Sequence, residues 1–129
     1  MIVVDATVVV DALTGVTGSD EPRVRLRTEE LHAPMLLDFE VVAAVRGLTL
    51  GGHLSAARAD DVLTDYDELP LRRWEAAHPL RRRAFWLRHN VSAYDGAYVA
   101  LAEALNCPLL TRDARLARAG GQSARIELV

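Results

Sequence analysis

Ile2-Val3-Val4-Asp5-Ala6-Thr7 opens the chain with three apolar residues, an acid, and then a turn into a run of helical character, Thr7 to Leu13. A short unbroken apolar run reads as a strand buried on both faces, as in a parallel sheet. An acid at the end of such a strand stands at the sheet edge where α/β proteins bind ligands. Working outward, the alternation repeats. His32 to Pro34, Leu69 to Trp74, Cys107 to Leu110 and Ile126 to Val129 read as further strands. Helices are expected from Arg23 to Glu30, Leu37 to Leu50, Ser55 to Glu68, Pro79 to Arg88, Ser92 to Leu105 and Asp113 to Ala119. Gly51-Gly52 and Gly120-Gly121 end two of them. Ser92 is a good N-cap, and Tyr94, Ala97, Tyr98, Leu101 and Leu105 form an apolar stripe at helical spacing. The expected fold class is α/β, a single domain over residues 1–129 with helices covering a mostly parallel sheet.

Composition narrows the chemistry. All 15 basic residues are arginine, so a P-loop lysine, a Schiff base and a Ser-Lys pair are excluded. The net charge of -3 conceals a basic segment in which Arg72, Arg73, Arg81, Arg82, Arg83 and Arg88 face one acid, Glu75. The lone Cys107 has no internal disulfide partner and reads as a small buried side chain beside a strand. No apolar run reaches the roughly 20 residues that span a bilayer, and Met1 leads into the first strand without a basic leader. A cytoplasmic protein without membrane contact is expected.

Four acids hold comparable positions: Asp5 and Asp113 each follow an apolar strand, and Glu40 and Asp95 each open a long helix. Each has an ordinary explanation as a helix cap or a complement to a helix dipole, and Asp95 lies at capping-box spacing from Ser92. Four caps need not all be acidic, however, since Ser, Thr and Asn serve as well. Gathered at one edge, two charges about 5 Å apart cost roughly 3 kcal/mol at an effective dielectric near 20, which a hard divalent cation offsets. No activated nucleophile accompanies them, so water must attack. His32, His53, His78 and His89 are scattered, without metal-ligand spacing, and a histidine-based mechanism is set aside.

Ile2-Val3-Val4-Asp5-Ala6-Thr7, Phe39-Glu40-Val41, the run from Ser92 to Ala102 and Leu109-Leu110-Thr111-Arg112-Asp113 resemble, in order and spacing, the motifs of the PIN-domain family, and more closely its VapC toxins. The resemblance covers the whole chain. It implies a three-layer α/β/α sandwich and a metal-dependent endoribonuclease. Asp5, Glu40, Asp95 and Asp113 would be the catalytic, Mg²⁺- or Mn²⁺-binding acids, with Thr7 and Thr111 as supporting hydroxyls. In-line attack of water would leave a 5′-phosphate and a 3′-hydroxyl. The implied partners are an RNA substrate, a VapB-like antitoxin covering the helical pair around Gly51-Gly52, and a second copy in a homodimer.

Arg72, Arg73, Arg81, Arg82, Arg83, Arg88 and Arg112 are the candidate RNA contacts, weighed against a solvated helix face or ion pairs with acids elsewhere. Trp74, Phe85 and Trp86 are candidates for base stacking, with core packing favoured for at least two of them. Asp11, Asp38 and Asp60 lie outside the four motifs and read as solvated helix residues or caps. Two rival readings remain. A Mg²⁺-dependent phosphotransfer module needs a lysine that the chain lacks, and a non-catalytic PIN-like interaction domain would show loss of an acid, whereas all four are present.

Overall fold

Five short segments pair side by side in the computed structural model, which describes residues 1–129. They are β1 (Ile2–Val4), β2 (Leu31–Pro34), β3 (Leu71–Trp74), β4 (Leu109–Thr111) and β5 (Ile126–Leu128). All four pairings are parallel and the strand order is β3-β2-β1-β4-β5. The central strands are the most apolar: Val3, Val4, Leu109 and Leu110 are fully buried. Burying each contributes about 1.5–3 kcal/mol. Edge strand β3 keeps Arg72 and Arg73 in solvent.

Parallel strands need crossovers, and the helices supply them: α1 (Ala6–Thr14) and α2 (Glu21–Thr28), α3 (Leu37–Leu50) and α4 (Ala56–Asp67), α5 (His78–Trp86) and α6 (Ala93–Leu105), and α7 (Ala114–Ala117). Right-handed crossovers assign their faces. The steps β1→β2 and β2→β3 run one way along the sheet, placing α1 to α4 on one side. The long return from β3 to β4 and the step to β5 run the other way, placing α5, α6 and α7 opposite. The packing agrees, with α1 against α2, α3 and α4, and α5 against α6. The sandwich therefore has three layers, and the sheet is wholly parallel.

Boundaries differ from the expected ones in informative places. The strand expected from Cys107 begins at Leu109, because Pro108 has no N–H to give; its carbonyl accepts from Val3 N at 2.9 Å instead. Helix α2 starts at Glu21, ahead of the expected Arg23, with Pro22 in its first turn, where a missing N–H costs nothing. Gly96 sits where a Cβ would lie 3.2 Å from the Ala84 Cα, so only glycine lets α5 come this close to the first turn of α6. No helix is long and apolar enough to cross a membrane.

Candidate active site

The direction in which the chain winds along the sheet reverses between the parallel neighbours β1 and β4: β1 hands over to a helix on one face of the sheet and β4 to a helix on the other. A crevice opens at the carboxyl ends of such a strand pair. Asp5 leaves β1 at that point and Thr111 ends β4 beside it. The Asp5 N–H donates to Leu110 O at 3.3 Å, so backbone pairing continues to the lip of the crevice.

Asp5 is 6% exposed and takes hydrogen bonds on both oxygens. Its Oδ1 accepts from the Thr7 hydroxyl at 2.5 Å and from Val8 N at 3.1 Å, the latter making it the N-cap of α1. Its Oδ2 accepts from the Thr111 hydroxyl at 2.5 Å. Thr111 Oγ1 in turn accepts from Asp113 N at 2.9 Å, and Thr7 Oγ1 from Arg112 N at 2.9 Å. The two threonines thus stitch the start of α1 to the turn after β4. Burial pushes the Asp5 carboxyl above its ordinary value, against the pull of these hydroxyl and N–H donors.

The other acids arrive from both layers. Glu40 lies in the first turn of α3, just past the end of β2, and Asp95 in the first turn of α6, whose N-terminus must face the same edge because its C-terminus feeds β4. The Tyr98 hydroxyl donates to Glu40 Oε1 at 2.5 Å, joining α6 to α3 across the crevice. Burial raises the Glu40 carboxyl, opposed by Tyr98 and reinforced by the charges of Asp95 and Asp5. Burial and then the charge of Asp113 raise that of Asp95, with partial relief from Ser92 and Arg115. Asp113 goes the other way: burial is outweighed by the Arg115 and Leu116 N–H groups that it caps and by the Arg115 guanidinium, 3.3 Å from Oδ2.

The structure therefore brings all four sequence-predicted acids and both threonines to one crevice. Asp5 and Asp113 do serve as helix caps, so the ordinary explanation holds for them alongside any other; Glu40 does not cap α3, and Asp95 receives no backbone N–H. No three of these side chains are drawn together into a finished metal cluster, each being turned toward its own partner. The donor set nonetheless suits a hard cation. It is all oxygen, three of the four carboxyls are held above their ordinary pKa, and only Asp113 has an arginine within ion-pair distance.

Tyr98 is the residue that sequence reasoning missed, since its 1% exposure matches the apolar stripe in which it was counted. Its position three residues after Asp95, on the same helical face, was the available signal. Tyr94, placed in the same stripe, is instead 67% exposed, because it lies on the flank where no element covers α6. Asp11 is not solvated, whereas Asp38 keeps 38% of its side chain exposed while it is engaged by two donors. Asp11 is buried, accepts from the N–H and hydroxyl of Thr17, and has Arg112 Nη1 at 3.3 Å. That nitrogen makes no hydrogen bond, so the pairing is of charge alone. Asp38 accepts from the Tyr66 hydroxyl at 2.6 Å and from Arg73 at 2.7 Å.

The candidate RNA-binding arginines divide. Arg73 is engaged with Asp38 and Tyr66, Arg83 is forked onto Glu103, and Arg112 is turned to Asp11. Arg72 lies 4.4 Å over the Trp74 ring, Arg81 donates to the Ala76 carbonyl, Arg82 is exposed, and Arg88 lies over Phe85 and Trp86. Phe85 and Trp86 are 60% and 64% exposed, so the core role favoured for two of the three aromatics fails for this pair. Trp74 is half-buried and donates its indole N–H to His32 Nδ1 at 3.0 Å.

A family model described as "PIN domain" matches residues 2–122. Ribonuclease VapC12 of Mycobacterium tuberculosis is 41% identical over 129 residues, covering 100% of this chain and 99% of the relative. Ribonuclease VapC1 of the same species is 44% identical over 128 residues, covering 98% and 96%. A toxin–antitoxin complex from Klebsiella pneumoniae contains a chain of the same fold, with a TM-score of 0.64 and 14% identity over 98% of this chain and 96% of that one. With its four acids on one crevice and relatives of this similarity along its whole length, the chain belongs to the PIN-domain family, among the VapC ribonucleases.

Proposed function

We propose that the protein is a divalent-cation-dependent endoribonuclease toxin that hydrolyses RNA phosphodiester bonds at the Asp5–Glu40–Asp95–Asp113 crevice. The observation that carries this reading is the convergence of four carboxylates at the sheet's switch point with a single arginine as countercharge. Asp5, Glu40, Asp95 and Asp113 would hold Mg²⁺ or Mn²⁺, which would supply Lewis-acid stabilisation of charge on the phosphate and make water a better nucleophile.

The chain's own residues divide the remaining work. Asp5, held on both oxygens, is a fixed anion whose direction is set by Thr7 and Thr111. Glu40 is pinned at one oxygen by Tyr98, leaving the other for a ligand or a proton. Asp95, without a backbone donor, is the carboxylate freest to turn. Asp113 is anchored by the start of α7. Four anions exclude general attraction for RNA at the crevice itself, so the phosphate contacts fall to arginines around it, with Arg72, Arg81, Arg82 and Arg88 still facing solvent.

The same proposal places the protein in the cytoplasm, with an antitoxin as partner and a second copy in a homodimer. Support for a protein partner comes from the Klebsiella pneumoniae toxin–antitoxin complex and from Phe39, 80% exposed beside Glu40, with Met35 and Val42 also exposed. Cleavage of total cellular RNA by the antitoxin-free protein tests the activity, with Mg²⁺ or Mn²⁺, with EDTA, and with Asp95→Asn as control. Discrete products ending in 5′-phosphates that vanish with EDTA and in the variant are expected. Products that survive both would overturn the site.

A further inference from the structure

Two large aromatic side chains at the end of α5 lie mostly in solvent, although Phe85 also borders an apolar groove with Trp74, Leu80 and Ala97. Phe85 and Trp86 are 60% and 64% exposed, while their neighbours Ala84 and Leu87 are buried and anchor the segment. Clustered exposed aromatics on a folded surface mark a binding site. Arg88 lies across both rings, its guanidinium 4.5 Å from the Phe85 centroid and 5.6 Å from that of Trp86, and donates to the Phe85 carbonyl at 3.4 Å. The rings are thereby held as flat surfaces with a positive charge fixed between them.

Arg88 also lines the near end of a groove of about 430 Å³ formed by the turn after α5, the start of α6 and α7. The groove carries Asn90, Ser92 and Arg115 along its walls, and Asp95 of the acidic crevice is one of its lining residues. Asn90 is packed against Gly121, where a Cβ would meet its Oδ1 at 2.7 Å, so the turn is braced rather than loose. One continuous surface thus runs from aromatic rings and an arginine, through polar side chains, to a catalytic carboxylate.

We propose that Phe85, Trp86 and Arg88 form a base-stacking subsite for an unpaired nucleotide next to the scissile phosphate, with the intervening ribose-phosphate lying in the groove toward Asp95 and Arg115. The inference rests on the ribonuclease reading and deepens it: this enzyme selects a single-stranded segment, because a base inside a duplex offers no free face. Aromatic residues and arginine are also enriched at protein interfaces; what favours RNA here is the groove that leads from Arg88 to Asp95 of the acidic crevice. Stacking on aromatic side chains and arginine planes tolerates every base.

The test uses the full-length protein in EDTA, to suppress cleavage, and fluorescence anisotropy with three labelled probes: an eight-nucleotide oligoadenylate, an abasic oligoribonucleotide of the same length, and an eight-base-pair RNA duplex. The first two carry equal charge, so repulsion by the acids cancels in their ratio. Wild type should bind oligoadenylate about tenfold more tightly than the abasic strand. The duplex should gain no such advantage. Phe85→Ala/Trp86→Ala should erase the difference while Trp86→Phe retains most of it, with unchanged circular dichroism showing that both variants fold.

Equal affinities in wild type, or a preference surviving in the double alanine variant, overturn the subsite. So does a double variant whose sole change is conversion of a dimer to a monomer in sedimentation, which would assign the rings to a second copy. Cleavage of total RNA by wild type in Mg²⁺ separates the two readings. Cleavage without base preference removes the subsite alone, whereas base preference without cleavage leaves the subsite and removes the nuclease.

Discussion

The two sides of the acidic crevice are built to different standards. On the β1–β4 side, Asp5 and Thr111 are buried, and every oxygen of the Asp5–Thr7–Thr111 cluster has a partner on another element or at the start of its own helix. On the α6–α7 side, Asp95 has Ser92 beside it and no backbone donor, and Arg115, the only countercharge, is 84% exposed. The first side follows from the sheet: once β1 and β4 pair, the two threonines and Asp5 have nowhere else to go. The second is carried on helix starts that tolerate small rotations. A site with one rigid wall and one adjustable wall can hold a charged ligand in register while its far side adapts.

Truncating each wall's acid tests this division most strongly. Asp5→Ala and Asp95→Ala should both lower RNA cleavage by two orders of magnitude or more, since each removes a carboxylate from the proposed cation site. Their stabilities should part. Asp5→Ala loses the cap of α1 and strands the buried Thr111 hydroxyl, a cost of about 2–4 kcal/mol. Asp95→Ala relieves repulsion from Asp113 and Glu40 and should leave the denaturation midpoint unchanged or raised. Urea titration reads both, and equal losses would dissolve the distinction between the walls.

The next largest effect is the linkage of stability to pH and to cations. Asp5, Glu40 and Asp95 have folded pKa values above their unfolded ones. Their stabilising contribution is therefore complete below the unfolded values of 3.8 for Asp and 4.5 for Glu, and is lost as pH rises through the raised folded values. Asp113 has the opposite sign, contributing above 3.8 and losing that contribution as pH falls through its lowered folded value. As pH rises the metal-free protein loses the contribution of these three groups, and a cation bound among them would offset that loss. Saturating Mg²⁺ or Mn²⁺, at about 100 times Kd, should add roughly 2.7 kcal/mol and raise Tm by about 5–15 °C at pH 7. The rise should shrink toward pH 5 as protons compete. A Tm indifferent to cations at pH 7 would contradict the assigned ligand set.

The rigid wall was also the wall legible in sequence, for one reason. An acid directly after an unbroken apolar run, as at Asp5, lies at a strand end, and parallel strand ends share an edge; Asp113, two residues past β4, gave the same signal on the adjustable wall. The adjustable wall was legible in its acids but not in its supports. The Tyr98 hydroxyl looked like one more member of a buried stripe, because helical spacing says which way a side chain points and not which atom waits at the end of it. Asp11, Asp38 and Glu103 drew Arg112, Arg73 and Arg83 out of the basic surface into ion pairs, contacts between residues 20 or more apart in the chain and fixed only by packing. The core role favoured for Phe85 and Trp86 failed because hydrophobicity alone does not separate an aromatic residue that packs from one that stays in solvent.

The smallest effect discriminates best on the adjustable side. Arg115→Gln removes the single countercharge, whose exposed guanidinium is 3.3 Å from Asp113 and also lowers the Asp95 pKa. Solvent screens an exposed pair, so the fold should lose less than about 0.5 kcal/mol and the urea midpoint should scarcely move. The acids, no longer partly neutralised, should bind Mn²⁺ two- to fivefold more tightly by titration calorimetry, the range that a screened interaction of this kind allows. Because Arg115 also lines the groove, RNA affinity should fall in the same variant and its dependence on salt should flatten. Tighter metal with weaker RNA is a combination that simple unfolding cannot produce, and it would place Arg115 between the two ligands proposed for this crevice, a cation and a polyanion.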